Sequence, residues 1–253
     1  MTVITDPLFY VCAVPAVVFL GLSKGGFSGI GMVSTPLLAI ILPPLEAAAI
    51  LLPIILLQDA MSVFVYRKVW DPWNLKVMIP GCVLGVGTAW LFAAYVSNGA
   101  IKLAVGLIAL GFVGYAMLRH WPGEPARPRA AHGVFWGGLS GFTTTLIQIG
   151  APPYYAFVLP QRLPKMLYVG TTVMFFAAAN VMKIVPYMAL GQFSTAGLAT
   201  SAALFPLAIA TNMLGVWLVR VTPEAMFYRI TNVIVFLLGC ELSRQGIVEL
   251  FWR

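Results

Sequence analysis

Polar residues punctuate this chain so rarely that its pattern is a series of long apolar runs separated by short polar breaks. Stretches such as AAAILLPIILLQDAMSVFVY, VMIPGCVLGVGTAWLFAAYV and AIKLAVGLIALGFVGYAMLR each reach the roughly 20 residues a helix needs to cross a bilayer core. A barrel strand would instead show segments of about ten residues alternating in polarity, and the sequence has none. The longest polar interruption, RHWPGEPARPRAAH at residues 119–132, falls close to the midpoint. Rich in proline and charge, it can neither continue a helix nor lie in hydrocarbon. It predicts two membrane halves, residues 1–119 and 132–253, joined by a linker at 120–131.

The halves resemble each other. GLSKGGFSGIGMVSTPLLAIIL in the first is echoed by GGLSGFTTTLIQIGAPPYYAFVL in the second, with Gly25 facing Gly141 and Pro36 facing Pro152. After each comes a long helix, then one in which Pro80 faces Pro206, then a last one closing at Arg119 and Arg244. Order persisting over a whole half predicts a tandem repeat. Each repeat is expected to hold a broken hairpin and three further spans. Residues 8–42 leave about 17 residues for each hairpin arm, the lower limit for crossing, so the arms either cross or are re-entrant. In both cases the hairpin returns to its starting side, and three more spans then invert the second half. The expected fold is an all-α polytopic membrane protein with two inverted-topology repeats.

Composition agrees with the pattern: 60% of the residues are hydrophobic and 9% charged, with a mean hydropathy of +0.93. The net charge of +7 comes from basic residues scattered between spans rather than from a stripe with interleaved aromatics, which argues against nucleic acid. They orient the chain instead. A cytoplasmic linker places ten of them on that side, including Arg67, Lys68, Arg162 and Lys165. Lys102, Lys183, Arg244 and Arg253 are then left toward the outside, and both termini are expected there. MTVITD lacks the basic region of a cleavable signal, so the first apolar run is expected to stay. Cys12, Cys82 and Cys240 have no metal-ligand spacing and read as packing or lipid-facing residues.

Candidate chemistry gathers at the breaks. Backbone that leaves helical geometry at membrane depth needs protein or a watery cavity around it. Gly21, Gly25, Gly26, Gly29 and Gly31 would let the chain turn and let a ligand approach. New arms are expected to start near Ser34 and Thr35 and near Gly150, offering helix N-termini to an oxyanion. Lys24 adds a full charge. The expected substrate site is therefore Lys24, Gly25, Gly26, Ser28, Ser34 and Thr35 in the first half, with Thr143, Thr144, Thr145 and Gln148 in the second, meeting at the midplane between the hairpins. The plainer alternative is that the glycines only permit close helix packing while Lys24 snorkels.

Asp59 is the other intramembrane charge, and Asn180 is its counterpart in the second half. A buried carboxylate can carry a coupling proton; alternatively it is a structural acid paired with Lys24. Gln58, Thr171, Thr172 and Asn212 are further polar candidates. Lys183, beside Pro186 and Tyr187, reads as an interface anchor. Enzyme motifs are missing, since His120 and His132 both flank the linker and no phosphate-binding glycine loop sits between a strand and a helix. No cofactor or metal is expected.

Through GLSKGGFSGIGMVSTPLLAIILPPLEA and GGLSGFTTTLIQIGAPP the chain resembles the TauE/SafE sulfite exporter family of membrane permeases. The resemblance implies ATP-independent export of a small sulfur-containing anion, such as sulfite or an organosulfonate, across the bacterial inner membrane. The residues themselves point only to a small anion. An anion channel of the same fold and a non-transporting membrane assembly partner are the competing readings, and the oligomeric state is open, a homodimer included.

Overall fold

The computed structural model describes residues 4, 6–26, 30–38, 41–42, 44–92, 95, 97–118, 128–189, 191 and 193–251. Its elements are α1 (Pro7–Gly25), a 3-10 turn at Ile30–Val33, α2 (Ser34–Leu38), α3 (Pro44–Tyr66), α4 (Pro72–Phe92) and α5 (Asn98–Leu118). After the linker come α6 (Ala130–Ile147), α7 (Ala151–Val158), a 3-10 turn at Leu159–Gln161, α8 (Lys165–Ala189), α9 (Thr195–Ala203), α10 (Phe205–Val221) and α11 (Glu224–Phe251). There is no strand among the described residues. Five helices, α1, α3, α4, α8 and α11, are long and apolar enough to cross a membrane, and α9 with α10, bent by 50°, makes a sixth. The protein is an all-α, multi-pass membrane protein. Most of the linker, Ser28 and Gly29 lie outside the described residues.

The hairpins are lopsided where equal arms were expected. α1 has 19 residues and α6 has 18, full spans or nearly so, whereas α2 has 5 and α7 has 8. At 1.5 Å per residue the short arms extend only about 8 and 12 Å as helix, well under the roughly 30 Å of a hydrocarbon core. Asp6 starts α1 by accepting the Leu8 N–H, a standard N-cap. Gly26 ends it at φ 138°, where an L side chain would be strained, and its N–H returns to Leu22 and Ser23 carbonyls.

The chain divides into two compact units, each drawing on both halves: residues 1–70 with 172–223, and residues 71–171 with 224–253. In the first, α1 lies along α10. A Cβ on Gly21 would meet the Thr211 side chain at 2.1 Å, and one on Gly25 the Gly215 backbone at 2.5 Å. The pairs advance together in number, so the helices are parallel. Gly21 and Gly25 are helical residues that admit a neighbouring helix, not the turn residues expected from the sequence. Close approach of this kind is what holds helices together where hydrophobicity offers no gain over lipid. Phe9, Ala13, Val17 and Leu20 of α1, Leu38 of α2 and Ile50, Leu51 and Ile54 of α3 fill the core beside this seam. Ser34 Oγ donates to the Ala16 carbonyl at 2.8 Å, pinning α2 back on α1.

In the second unit α6 lies along α4 in the same manner. Gly137 and Gly141 press on the Met78 and Cys82 backbones, while Gly81 and Gly85 press on those of Val134 and Gly138. These pairs are again parallel. α5 and α11 run antiparallel, with Gly99 against Glu249, Leu103 against Gly246 and Gly106 against Ser243; Lys102 and Glu249 form an ion pair on this seam. Asn74 and Gln161 exchange two buried amide hydrogen bonds at 2.9 and 3.0 Å.

The contact register corrects two alignments. Thr211 and Gly215 stand against α1 as Met78 and Cys82 stand against α6, so Pro206 corresponds to the first turn of α4 and not to Pro80. Arg244 does not close its helix either: α11 runs on to Phe251, and Arg244 pairs with Glu241 at 2.7 Å on its flank.

Candidate functional site

The C-terminal turn of α1 is held by three side chains of α3 spaced for one helix face: Asp59, Ser62 and Tyr66. Ser62 Oγ donates to the Lys24 carbonyl at 2.8 Å and Tyr66 Oη to the Gly25 carbonyl at 2.9 Å. The last carbonyls of a helix lack intrahelical donors, and α3 supplies them here. The Lys24 ammonium meets Asp59 Oδ1 at 2.7 Å. It also stands at the negative end of the α1 dipole, a favourable place for a cation. From α8, Asn180 Nδ2 donates to the second carboxylate oxygen at 2.6 Å. Both oxygens of Asp59 are thus engaged, and the residue is 4% exposed.

A second polar layer adjoins this one. Asn212 on α10 donates to Ser62 Oγ at 2.8 Å, and Gln58 Nε2 donates to the Ala208 carbonyl at 3.2 Å. The Gln58 side-chain oxygen, Oε1, is buried with no hydrogen-bond partner among the described residues. An oxygen in that state accepts a proton donor or a water if one enters.

Lys24, Gly25, Gly26, Ser34, Thr35 and Asp59 all belong to the first unit, and Lys24 and Asp59 are in direct contact. Thr143, Thr144, Thr145 and Gln148 belong to the second unit. There Thr143 Oγ donates to the Leu139 carbonyl at 2.9 Å and Thr145 Oγ to that of Gly141 at 2.8 Å, so each hydroxyl proton is spent within α6. Thr144 is buried against Gly150. Gln148 caps α6 at φ 59°, a left-handed conformation, and begins the turn into α7. Ser140, in the place of Lys24, donates to the Gly150 carbonyl at 2.7 Å and closes that turn.

The α7 N-terminus is a poorer anion cradle than the pattern predicted. Pro152 and Pro153 have no N–H, and the Tyr154 N–H already goes to Gly150 at 3.4 Å. Lys183, expected at the interface, is fully buried in α8. Ser62 and Tyr66 were not singled out from the sequence, though their spacing from Asp59 is the signal that marks them.

The chain matches the family described as Sulfite exporter TauE/SafE over residues 13–242. No curated protein and no solved structure matches it. A match over that span, carried by a helical membrane protein with a charged pair buried beside a broken hairpin, makes the chain a member of the TauE/SafE sulfite exporter family.

Proposed function

We propose that the protein is a secondary transporter that exports a small sulfur-containing anion, sulfite or an organosulfonate, across the bacterial inner membrane by alternating access. The observation that carries this reading is the Lys24 ammonium, paired at the broken end of α1 with Asp59, whose other oxygen accepts from Asn180. Intramembrane ions mark substrate or ion paths. Family membership supplies the substrate class.

In this arrangement the substrate oxyanion and the Asp59 carboxylate compete for one cation. A proton on Asp59 removes the competitor, so the anion takes over Lys24 as the proton arrives. Asp59 is then the coupling group, Lys24 the substrate contact, and Asn180 the residue that orients the carboxylate. Gly25 and Gly26 end the helix where that contact is made.

Two inverted repeats account for the helix pairings. In each unit the first helix of one half lies parallel to the α4 or α10 of the other half, and the two last helices, α5 and α11, are antiparallel. The linker is cytoplasmic and the termini external in this reading, and the partners are the anion, a coupling proton and lipid.

The test is thermal stability of the detergent-purified protein against a panel of small anions, beside Lys24→Met. A ligand at about 100 Kd stabilises the folded state by about 2.7 kcal/mol. Stabilisation by a sulfur oxyanion that vanishes in the variant is the expected result, and no response from any anion would defeat the proposal.

A further inference from the structure

α11 carries an ion pair on its outer face. Arg244 donates to Glu241 through Nε at 2.9 Å and Nη2 at 2.7 Å, and Gln245 Nε2 donates to the same carboxylate at 2.8 Å. The Arg244 and Glu241 side chains are 65% and 46% exposed.

Their depth follows from helix lengths. α11 has 28 residues, about 42 Å, so a hydrocarbon core of roughly 30 Å leaves only about 12 Å of it outside. Glu241 stands about 15 Å before Phe251 and farther still from Glu224, and so lies within the core however that excess is shared between the ends. The seam with α5 gives the same depth. Gly239 packs on Ala109 and Leu110, and Gly106 on Ser243, which brings Glu241 level with the middle of α5 (Asn98–Leu118). Ions at that depth are costly and are kept against protein or a watery cavity rather than lipid.

The pair also belongs to a pattern. Val233, Leu237, Cys240, Arg244, Ile247 and Phe251 are all exposed and recur at alternating steps of four and three. This spacing of 3.5 residues marks the seam along which two helices wind about each other. Arg244 falls on the seam and Glu241 beside it.

We propose that this face of α11 is the interface of a homodimer, where it meets α11 of a second copy about a two-fold axis along the membrane normal. Copies inserted in the same sense are related by such an axis, so the two helices run parallel with equal residues at equal depth. A guanidinium has five N–H donors, and Arg244 gives two of them to its own Glu241. Glu241 and Arg244 differ in depth by about 4.5 Å, within reach of a long side chain, so the remaining donors of each guanidinium turn to the carboxylate of the other copy. The four charges close into a neutral ring away from lipid. A pair complementary to itself under a two-fold selects a second copy over an unrelated partner, and polar contacts between helices hold membrane assemblies together. The dimer does not depend on what the protein carries.

The first test oxidises full-length protein in native membranes with copper phenanthroline. A covalent dimer through Cys240 is expected, and none from Cys240→Ser, which keeps Cys12 and Cys82. A product joined to a different protein, or no product, overturns the proposal. The second test uses Glu241→Arg and Arg244→Glu, each of which leaves a single sign of charge on the face. Neither variant is expected to self-associate, but the two co-expressed under different tags are expected to purify together. A pair that acts only within its own helix is broken in both variants alike and gains nothing from mixing, so absence of capture, or single variants that dimerise like the wild type, also overturns the proposal. The oxidation test leaves the charged pair intact and decides the matter if either variant is made in poor yield.

Discussion

Asp59 and Asn180 hold the same place in the two halves and are hydrogen-bonded to each other, Nδ2 to Oδ2 at 2.6 Å. Each stands fifteen residues past the start of its helix, Pro44 for α3 and Lys165 for α8, and a tyrosine follows seven residues later in both, Tyr66 and Tyr187. Equivalent residues touch only near the axis that relates two repeats, so on the inverted-repeat reading this bond marks that axis. With a carboxylate on one side and an amide on the other, the pair holds one ionisable group rather than two.

Asp59→Ala leaves Lys24 without its counter-ion in a mostly buried place. Breaking a buried pair from one side costs about 3–5 kcal/mol, and a clear fall in melting temperature is expected. The double variant Lys24→Met with Asp59→Leu recovers most of that loss while abolishing anion binding.

In the proposed competition for Lys24, the Asp59 carboxylate, 2.7 Å from the ammonium, rivals the substrate. Asp59→Asn, which keeps the shape and removes the charge, is therefore expected to bind methanesulfonate more tightly than the wild type. An unchanged affinity would remove Asp59 from the competing role.

Gly25→Ala puts a methyl 2.5 Å from the Gly215 backbone. The backbone cannot rotate away, so α1 and α10 must part, at about 1–3 kcal/mol. Gly111→Ala, with nothing within 4 Å of the new carbon, is expected to be neutral or to stabilise by up to about 1 kcal/mol through helix propensity. Chemical or thermal melts of the two single variants separate packing from backbone freedom.

The Asn74–Gln161 exchange predicts non-additivity. Gln161→Leu strands a buried amide and costs about 1–3 kcal/mol. Adding Asn74→Leu costs less than the sum of the two single changes, and a double-mutant cycle reads the coupling directly.

Single cysteines introduced at the two ends of a chain lacking Cys12, Cys82 and Cys240 test the orientation. Membrane-impermeant thiol reagent is expected to label both ends in intact cells, while a cysteine beside Arg67 and Lys68 reacts only after permeabilisation. The opposite pattern would invert the topology.

The spans and the arm starts at Ser34 and Gly150 were legible in the sequence, because apolar length and proline or glycine breaks record them directly. The unequal hairpins were not. Where α1 stops depends on Ser62 and Tyr66 donating to the carbonyls of its open end, and those contacts lie far away along the chain. Gly21 and Gly25 read as hinges because a glycine that turns and a glycine that admits a neighbour look the same until the neighbour is known. Lys183 read as a helix-end anchor on account of Pro186, yet α8 runs through that proline to Ala189. Period and hydropathy show depth in the membrane; they do not show which face of a helix is covered.

The parallel seam between α1 and α10 has a consequence for how the chain is made. Gly25 and its mate Gly215 are separated by about 190 residues, which a ribosome working at about 5–20 residues per second takes roughly 10–40 s to add. α6 meets an α4 that already exists, but α1 waits in the bilayer until nearly everything else has been synthesised. A nascent chain truncated before Phe205 would therefore display the bare glycine stripe of its first helix to lipid and to the proteases that patrol it, while its α4–α6 seam had already closed.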